Sequence, residues 1–160
     1  MRSQLQPFLG CKYPFSAAVD AFGLRKVPYR GDEPTICLQD VLLYTGSLAV
    51  PVDHVWAYVG KTIARFNPAK GDRITFYAWV REYTKLNKNT GEEKLDYCID
   101  RLSALALVKS NGGPDFVTFW RLMRSSSKFV SNALDDIVLP TGTRLEMAAP
   151  LHATVARGVA

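Results

Sequence analysis

The sequence predicts a mainly-β fold, and three observations carry that expectation. In Arg73–Arg81, apolar Ile74, Phe76, Ala78 and Val80 alternate with Arg73, Thr75, Tyr77, Trp79 and Arg81. Strict period two, with β-branched and aromatic residues, is the signature of a half-buried strand. Two further extended apolar stretches, Thr35–Tyr44 and Val50–Val59, are separated by the turn residues Thr45-Gly46-Ser47. A polar run, Asn87-Lys88-Asn89-Thr90-Gly91, follows the long strand and reads as a hairpin tip.

Taken in order, residues 1–34 hold Pro7, Pro14, Pro28 and Pro34 and show no sustained period, which predicts an irregular N-terminal arm with at most a short helix around Phe15–Phe22. Arg2, Lys12, Arg25, Lys26 and Arg30 face only Asp20 across the first thirty residues, interleaved with Phe8, Tyr13, Phe15, Phe22 and Tyr29. The arm is therefore expected to pack on the domain or on a partner. Residues 35–147 are expected to form the β-barrel-like domain. Within it, Val55, Ala57 and Val59 share one face and His54, Trp56 and Tyr58 the other; Gly60–Phe66 suits a short helix and residues 67–72 a turn. The strand from Arg73 continues through Lys85, and Lys94–Ile99 and Leu102–Val108 return as strands. After the break at Ser110-Asn111-Gly112-Gly113-Pro114, Phe116, Thr118, Trp120 and Leu122 alternate with Val117, Phe119 and Arg121, which predicts one more strand or hairpin arm. Ser125–Leu134 is ambiguous and admits a helix, and Asp135–Met147 reads as a short strand pair around Pro140-Thr141-Gly142. Residues 148–160 are read as a tail.

Composition bounds the function. Hydrophobic residues make up 48% and charged residues 22% of the 160, values of a folded domain rather than a disordered chain. A chain of this length buries enough surface to need no staple. The net charge of +5 tilts the partner toward polyanions without specifying one. Cys11, Cys37 and Cys98 form no CxxC pair, and His54 and His152 lie far apart in sequence, so no zinc site, other metal site or cofactor is expected. The thiols read as free and buried in a reducing cytosol. No apolar run reaches the ~18 residues of a membrane span, and Gln4, Gln6 and Pro7 break any signal-like segment, so a cytoplasmic protein with no membrane partner is expected.

The segment Asp53-His54-Val55-Trp56, the run Gly71-Asp72-Arg73-Ile74-Thr75-Phe76-Tyr77-Ala78-Trp79-Val80-Arg81-Glu82-Tyr83 and the pair Asp96-Tyr97 together resemble small OB-fold-like proteins of microbes and mobile elements. The likeness covers residues 35–108 and rests on pattern. It implies a small Greek-key barrel, with the arm before it and a C-terminal extension after it. It also implies oligonucleotide binding across strands two and three and their flanking loops, an activity that fold alone does not confer.

The candidate site is the polar face of the long strand. Arg73, Thr75, Tyr77, Trp79, Arg81, Tyr83 and Lys85 are all odd-numbered and lie together unless a bulge intervenes; Lys88 stands in the hairpin tip beyond them. Aromatic rings between cations suit single-stranded nucleic acid, whose bases stack on the rings while Arg and Lys neutralise phosphates. The competing reading puts Tyr77 and Trp79 under the arm or the C-terminal segment, as a second small core. Function is thus expected to be non-catalytic binding of single-stranded DNA, RNA or a ribonucleoprotein, or else a protein–protein module of a larger assembly. No catalytic residue is assigned. Asp53 and His54 are neighbours, and on a strand neighbours point to opposite faces, so a hydrolytic pair there is disfavoured. The acidic pairs Asp32-Glu33, Glu92-Glu93 and Asp135-Asp136 read as solvated loops, Gly112-Gly113-Pro114 lacks the Lys-Ser/Thr of a phosphate loop, and Ser125-Ser126-Ser127 lacks a nucleophile elbow.

Overall fold

The computed structural model describes residues 2–126 and Leu134. A 3-10 helix, Ser3–Phe8, precedes strands β1 (Lys12–Arg25), β2 (Glu33–Thr45), β3 (Leu48–Val52) and β4 (Val55–Tyr58). Helix α1 (Lys61–Phe66), the long strands β5 (Arg73–Leu86) and β6 (Glu93–Lys109), and helix α2 (Phe116–Ser126) follow. All ladders are antiparallel, in the order β3-β2-β1-β5-β6, with β4 also paired to β2. The strand β2 serves two partners in turn: Thr35–Leu38 pairs with β4 and Val41–Thr45 with β3. Between the two ladders Asp40 adopts a left-handed φ of 50°, which bends β2. The β4 strand also comes against β6, but no hydrogen-bonded ladder joins them, so the sheet is mainly-β and antiparallel without being closed as a barrel.

The inner face carries the core. Ile74, Phe76, Ala78 and Val80 are all buried, as their alternation predicts, and Phe15, Val19, Ile36, Leu38, Val41 and Leu43 meet them from β1 and β2. Phe15 and Phe76 are register partners whose rings stack with centroids 5.6 Å apart.

Two expectations are corrected. Residues 12–25, expected within an irregular arm, form β1, which lies in the middle of the sheet between β2 and β5. Pro14 misled because proline is excluded from strands paired on both sides. Here the β2 ladder begins only at Phe15, so Pro14 sits where β1 is paired with β5 alone. Register shifts at Ser16/Ala18 and Val19/Ala21 also break the period of two. The second correction concerns Phe116–Leu122, which is helical and not a strand. The side chains that enter the core, Phe116, Val117 and Trp120, follow helical rather than alternate spacing, and Leu122 is exposed. Asp115 caps the helix, accepting the Thr118 amide at 2.8 Å, and Asn67 Oδ1 accepts the Val117 amide at 3.0 Å. Asp115→Ala should therefore cost ~1 kcal/mol of stability, read as a lower urea midpoint with an unchanged slope.

Smaller differences have local causes. The two strands expected over Lys94–Ile99 and Leu102–Val108 are one, β6, which passes through left-handed residues Arg101 and Ala104 instead of breaking. The expected helix over Gly60–Phe66 is α1. Gly113 sits so close to the Lys70 carbonyl that a Cβ would come within 2.1 Å of its oxygen, so the break before α2 is a packed turn. Except for Ser125 and Ser126 in α2 and the buried Leu134, the readings for Ser125–Leu134, Asp135–Met147 and 148–160 lie outside the described residues.

Candidate nucleic-acid interface

Up to Val80 the odd-numbered residues of β5 take the outward face because Ile74, Phe76, Ala78 and Val80 are committed to the core, and the alternation carries Arg81, Tyr83 and Lys85 along the same side where both faces of the strand are exposed. Tyr77 is 47% exposed, Arg73, Thr75 and Trp79 are half-buried, and Arg81, Tyr83, Lys85 and Lys88 are exposed. Neither Tyr77 nor Trp79 is among the described residues of the hydrophobic core or those packed against it, and most of the C-terminal segment of the competing reading lies outside the described residues. Two cation–ring contacts order this face: Lys12 Nζ lies 5.9 Å from the centre of the Tyr77 ring, and the Arg81 guanidinium 5.5 Å from that of Trp79. The β1–β5 ladder stops at the Lys12–Trp79 pair, whereas β5 and β6 stay paired as far as Leu86–Glu93. Beyond the sheet they run as a two-stranded ribbon, and every residue from Arg81 to Leu95 is exposed.

Register adds what the sequence concealed. Lys94 stands directly opposite Lys85, and Lys109 directly opposite Arg73. Like charges facing each other across a ladder repel. Both ends of the outward β5–β6 stripe thus carry a repulsive cationic pair, with Tyr77, Trp79 and Arg81 between them. The thirteen residues from Arg73 to Lys85 extend about 40 Å at the usual rise of a strand. Lys12, Lys94 and Lys109 were missed from sequence because only the pairing brings them to this face. Carboxylates are present too: Asp100 is opposite Trp79 and 3.7 Å from its neighbour Arg101.

Tyr83 is placed differently from its neighbours. Its hydroxyl donates to Asp96 Oδ2 at 3.2 Å, and the same oxygen accepts from Arg2 Nη1 at 3.1 Å. The Arg2 amide donates to Asp96 Oδ1 at 2.9 Å, while Arg2 Nε and Nη1 reach the carbonyls of His54 and Tyr97. Burial pushes the Asp96 carboxyl up, but amides of Arg2 and Tyr97, the Arg2 guanidinium and the Tyr83 hydroxyl together hold it below the usual carboxylate range. Tyr83 is therefore tied into a structural network as well as lying on the stripe.

The expectation that Asp53 faces away from His54 does not hold. The two occupy the corner between β3 and β4 rather than a strand, and Asp53 Oδ1 lies 3.1 Å from His54 Nδ1 and accepts the His54 amide at 2.8 Å. These contacts, the amide first, hold the Asp53 carboxyl low. Both side chains are exposed on an open groove that also includes Gln39, Asp40 and Arg73, with no Ser, Thr or Cys nucleophile among its described lining residues. No cluster of three metal-ligating side chains occurs among the described residues, and no described helix is long and apolar enough to cross a membrane. The three thiols are unpaired; Cys37 is buried and Cys98 partly so, whereas Cys11, expected to be buried, is exposed. Burial first, then nearby carboxylates, pushes the Cys37 and Cys98 thiols up, away from the reactive thiolate form.

Compared with known proteins, the sequence matches no protein-family model and no curated sequence.

Proposed function

We propose that this protein is a non-catalytic, cytoplasmic binding subunit that holds single-stranded nucleic acid along the outward stripe of β5 and β6. One observation carries the reading: the Arg73–Lys109 and Lys85–Lys94 pairs oppose like charges at both ends of a stripe whose middle carries the exposed Tyr77 and the half-buried Trp79. A polyanion lying along the stripe relieves both repulsions, and its bases find two rings held beside cations. The strand pairing and the approach of β4 to β6 also support a curled, OB-like arrangement, with Arg2 spanning from His54 to Asp96 and Tyr97 where no ladder runs. The alternative, a protein-docking module, draws on Leu86, Leu95, Leu107 and Val108, which are exposed on the same two strands.

Fluorescence anisotropy with a short labelled oligothymidylate, titrated over a range of salt, separates these readings. Nucleic-acid binding should weaken steeply with salt, by about 0.7 in log–log slope per phosphate contacted. Trp79→Ala should cost ~1–3 kcal/mol of binding with little change in slope, because it removes a stacking surface. Arg81→Ala should lower the slope by about one contact. Since Arg81 rests on Trp79, the double variant should lose less than the sum of the two. Unfolding of Trp79→Ala would return that residue to the core and end the platform reading.

A further inference from the structure

A second aromatic and cationic cluster stands at the opposite end of β1. Along β4, Val55 and Ala57 point inward and are buried, whereas Trp56 and Tyr58 point outward and are 45% and 42% exposed. The Trp56 indole reaches across β2 onto β1: a Cβ built on Gly23 would lie 3.1 Å from its Cζ3 and 3.1 Å from Thr35 Oγ1. Gly23 thus makes the seat on which one part of the indole rests while another part faces solvent. Beside it, the Arg25 guanidinium lies 4.9 Å from the centre of the Tyr58 ring. The turn from β1 to β2 adds Lys26, Tyr29 and Arg30, with Tyr29 fully exposed at a left-handed φ of 65°. Asp32 and Glu33 are also here, and Glu33 lies 3.7 Å from Arg30 on the surface.

Large aromatics set outward in a strand whose inward positions are small, with one ring seated on a glycine and the other under a guanidinium, are pre-organised for stacking. We propose that Trp56, Tyr58 and Arg25, with Tyr29 and Lys26 of the turn, form a second contact for single-stranded nucleic acid. The proposal rests on the reading of the β5–β6 stripe as a nucleic-acid site. The occupant is set by chemistry: exposed rings paired with cations offer base stacking and phosphate neutralisation together.

The test compares the affinity of the full chain for a short oligothymidylate with that of Trp56→Ala, Arg25→Ala, Trp56→Phe and Trp79→Ala. Trp56→Ala should bind about fivefold to 150-fold more weakly, with Trp56→Phe recovering most of the loss and Arg25→Ala lowering the salt slope. If Trp79→Ala binds weakly while Trp56→Ala and Arg25→Ala bind like the parent, this second contact is wrong and the stripe stands. If Trp56→Ala is weakened and Trp79→Ala is not, the cluster is the site and the stripe reading falls. A parent chain that binds nothing at low salt overturns both. Should Trp56→Ala fail to fold, Trp79→Phe leaves Trp56 and the buried Trp120 as emitters. Oligothymidylate must then quench the accessible part of that emission, and no quenching in a chain that still binds overturns the proposal.

Discussion

Phe76→Ala should lower the free energy of unfolding by about 3–5 kcal/mol, the range for deleting a buried phenylalanine. Phe76 is 1% exposed and lies on the inward face of β5 between Ile74 and Ala78. Its ring stacks on Phe15 with only 6° between planes, so truncation also removes an aromatic pair that joins β5 to β1. Against a usual total of about 5–15 kcal/mol, the loss is a large fraction. Urea denaturation gives the measurement: the midpoint should fall with little change in slope. The neighbouring Tyr77→Ala should move the midpoint far less, because that ring is half in solvent. Equal losses at the two positions would contradict the inward–outward division on which the proposed stripe depends.

That division was legible in the sequence because β5 obeys period two without interruption over its buried half, and nothing but a strand puts Ile74, Phe76, Ala78 and Val80 on one side. Where pairing rather than pattern decides, legibility ends. The β1 strand keeps a proline and shifts register twice, and only its neighbours reveal that Pro14 is tolerable and Phe15 central. Phe116–Leu122 fits alternation as well as helical spacing; the choice falls to Asp115 at the cap and to Asn67, 50 residues before Val117, meeting its amide. The site divides in the same way. Tyr77, Trp79 and Arg81 follow from alternation, whereas Lys12, Lys94 and Lys109 join them through ladders. Tyr83 follows from alternation too, but its commitment to Asp96 and to Arg2, 81 positions away, does not. The Asp53–His54 contact was misjudged by applying strand geometry to a corner.

Arg2→Ala should be costly for a residue so near the start of the chain, destabilising by about 3 kcal/mol, the lower end of the range for breaking a buried ion pair. The Arg2 and Asp96 side chains are only 14% and 9% exposed, and Arg2 also donates to the carbonyls of His54 and Tyr97. It therefore fastens the β3–β4 corner to β6, beside Leu5, which is fully buried from the 3-10 helix. Removing the guanidinium leaves Asp96 with the Arg2 and Tyr97 amides and the Tyr83 hydroxyl, without its one cationic partner among the described residues. The pH dependence gives an independent check. The Asp96 carboxyl titrates below its unfolded value, near 3.9, so its stabilising effect is fully present above that value and is lost as pH falls through the lower folded value. Asp115, whose carboxyl is also held low, adds to the same acid limb, so the informative quantity is the difference between chains. Asp96→Asn should be less stable than the parent at neutral pH and approach it below about pH 4. Arg2→Ala should show the same convergence in smaller measure, because the amides and hydroxyl still favour the charged carboxyl. If both variants run parallel to the parent from neutral to acid pH, the Arg2–Asp96 pair does not hold this seam.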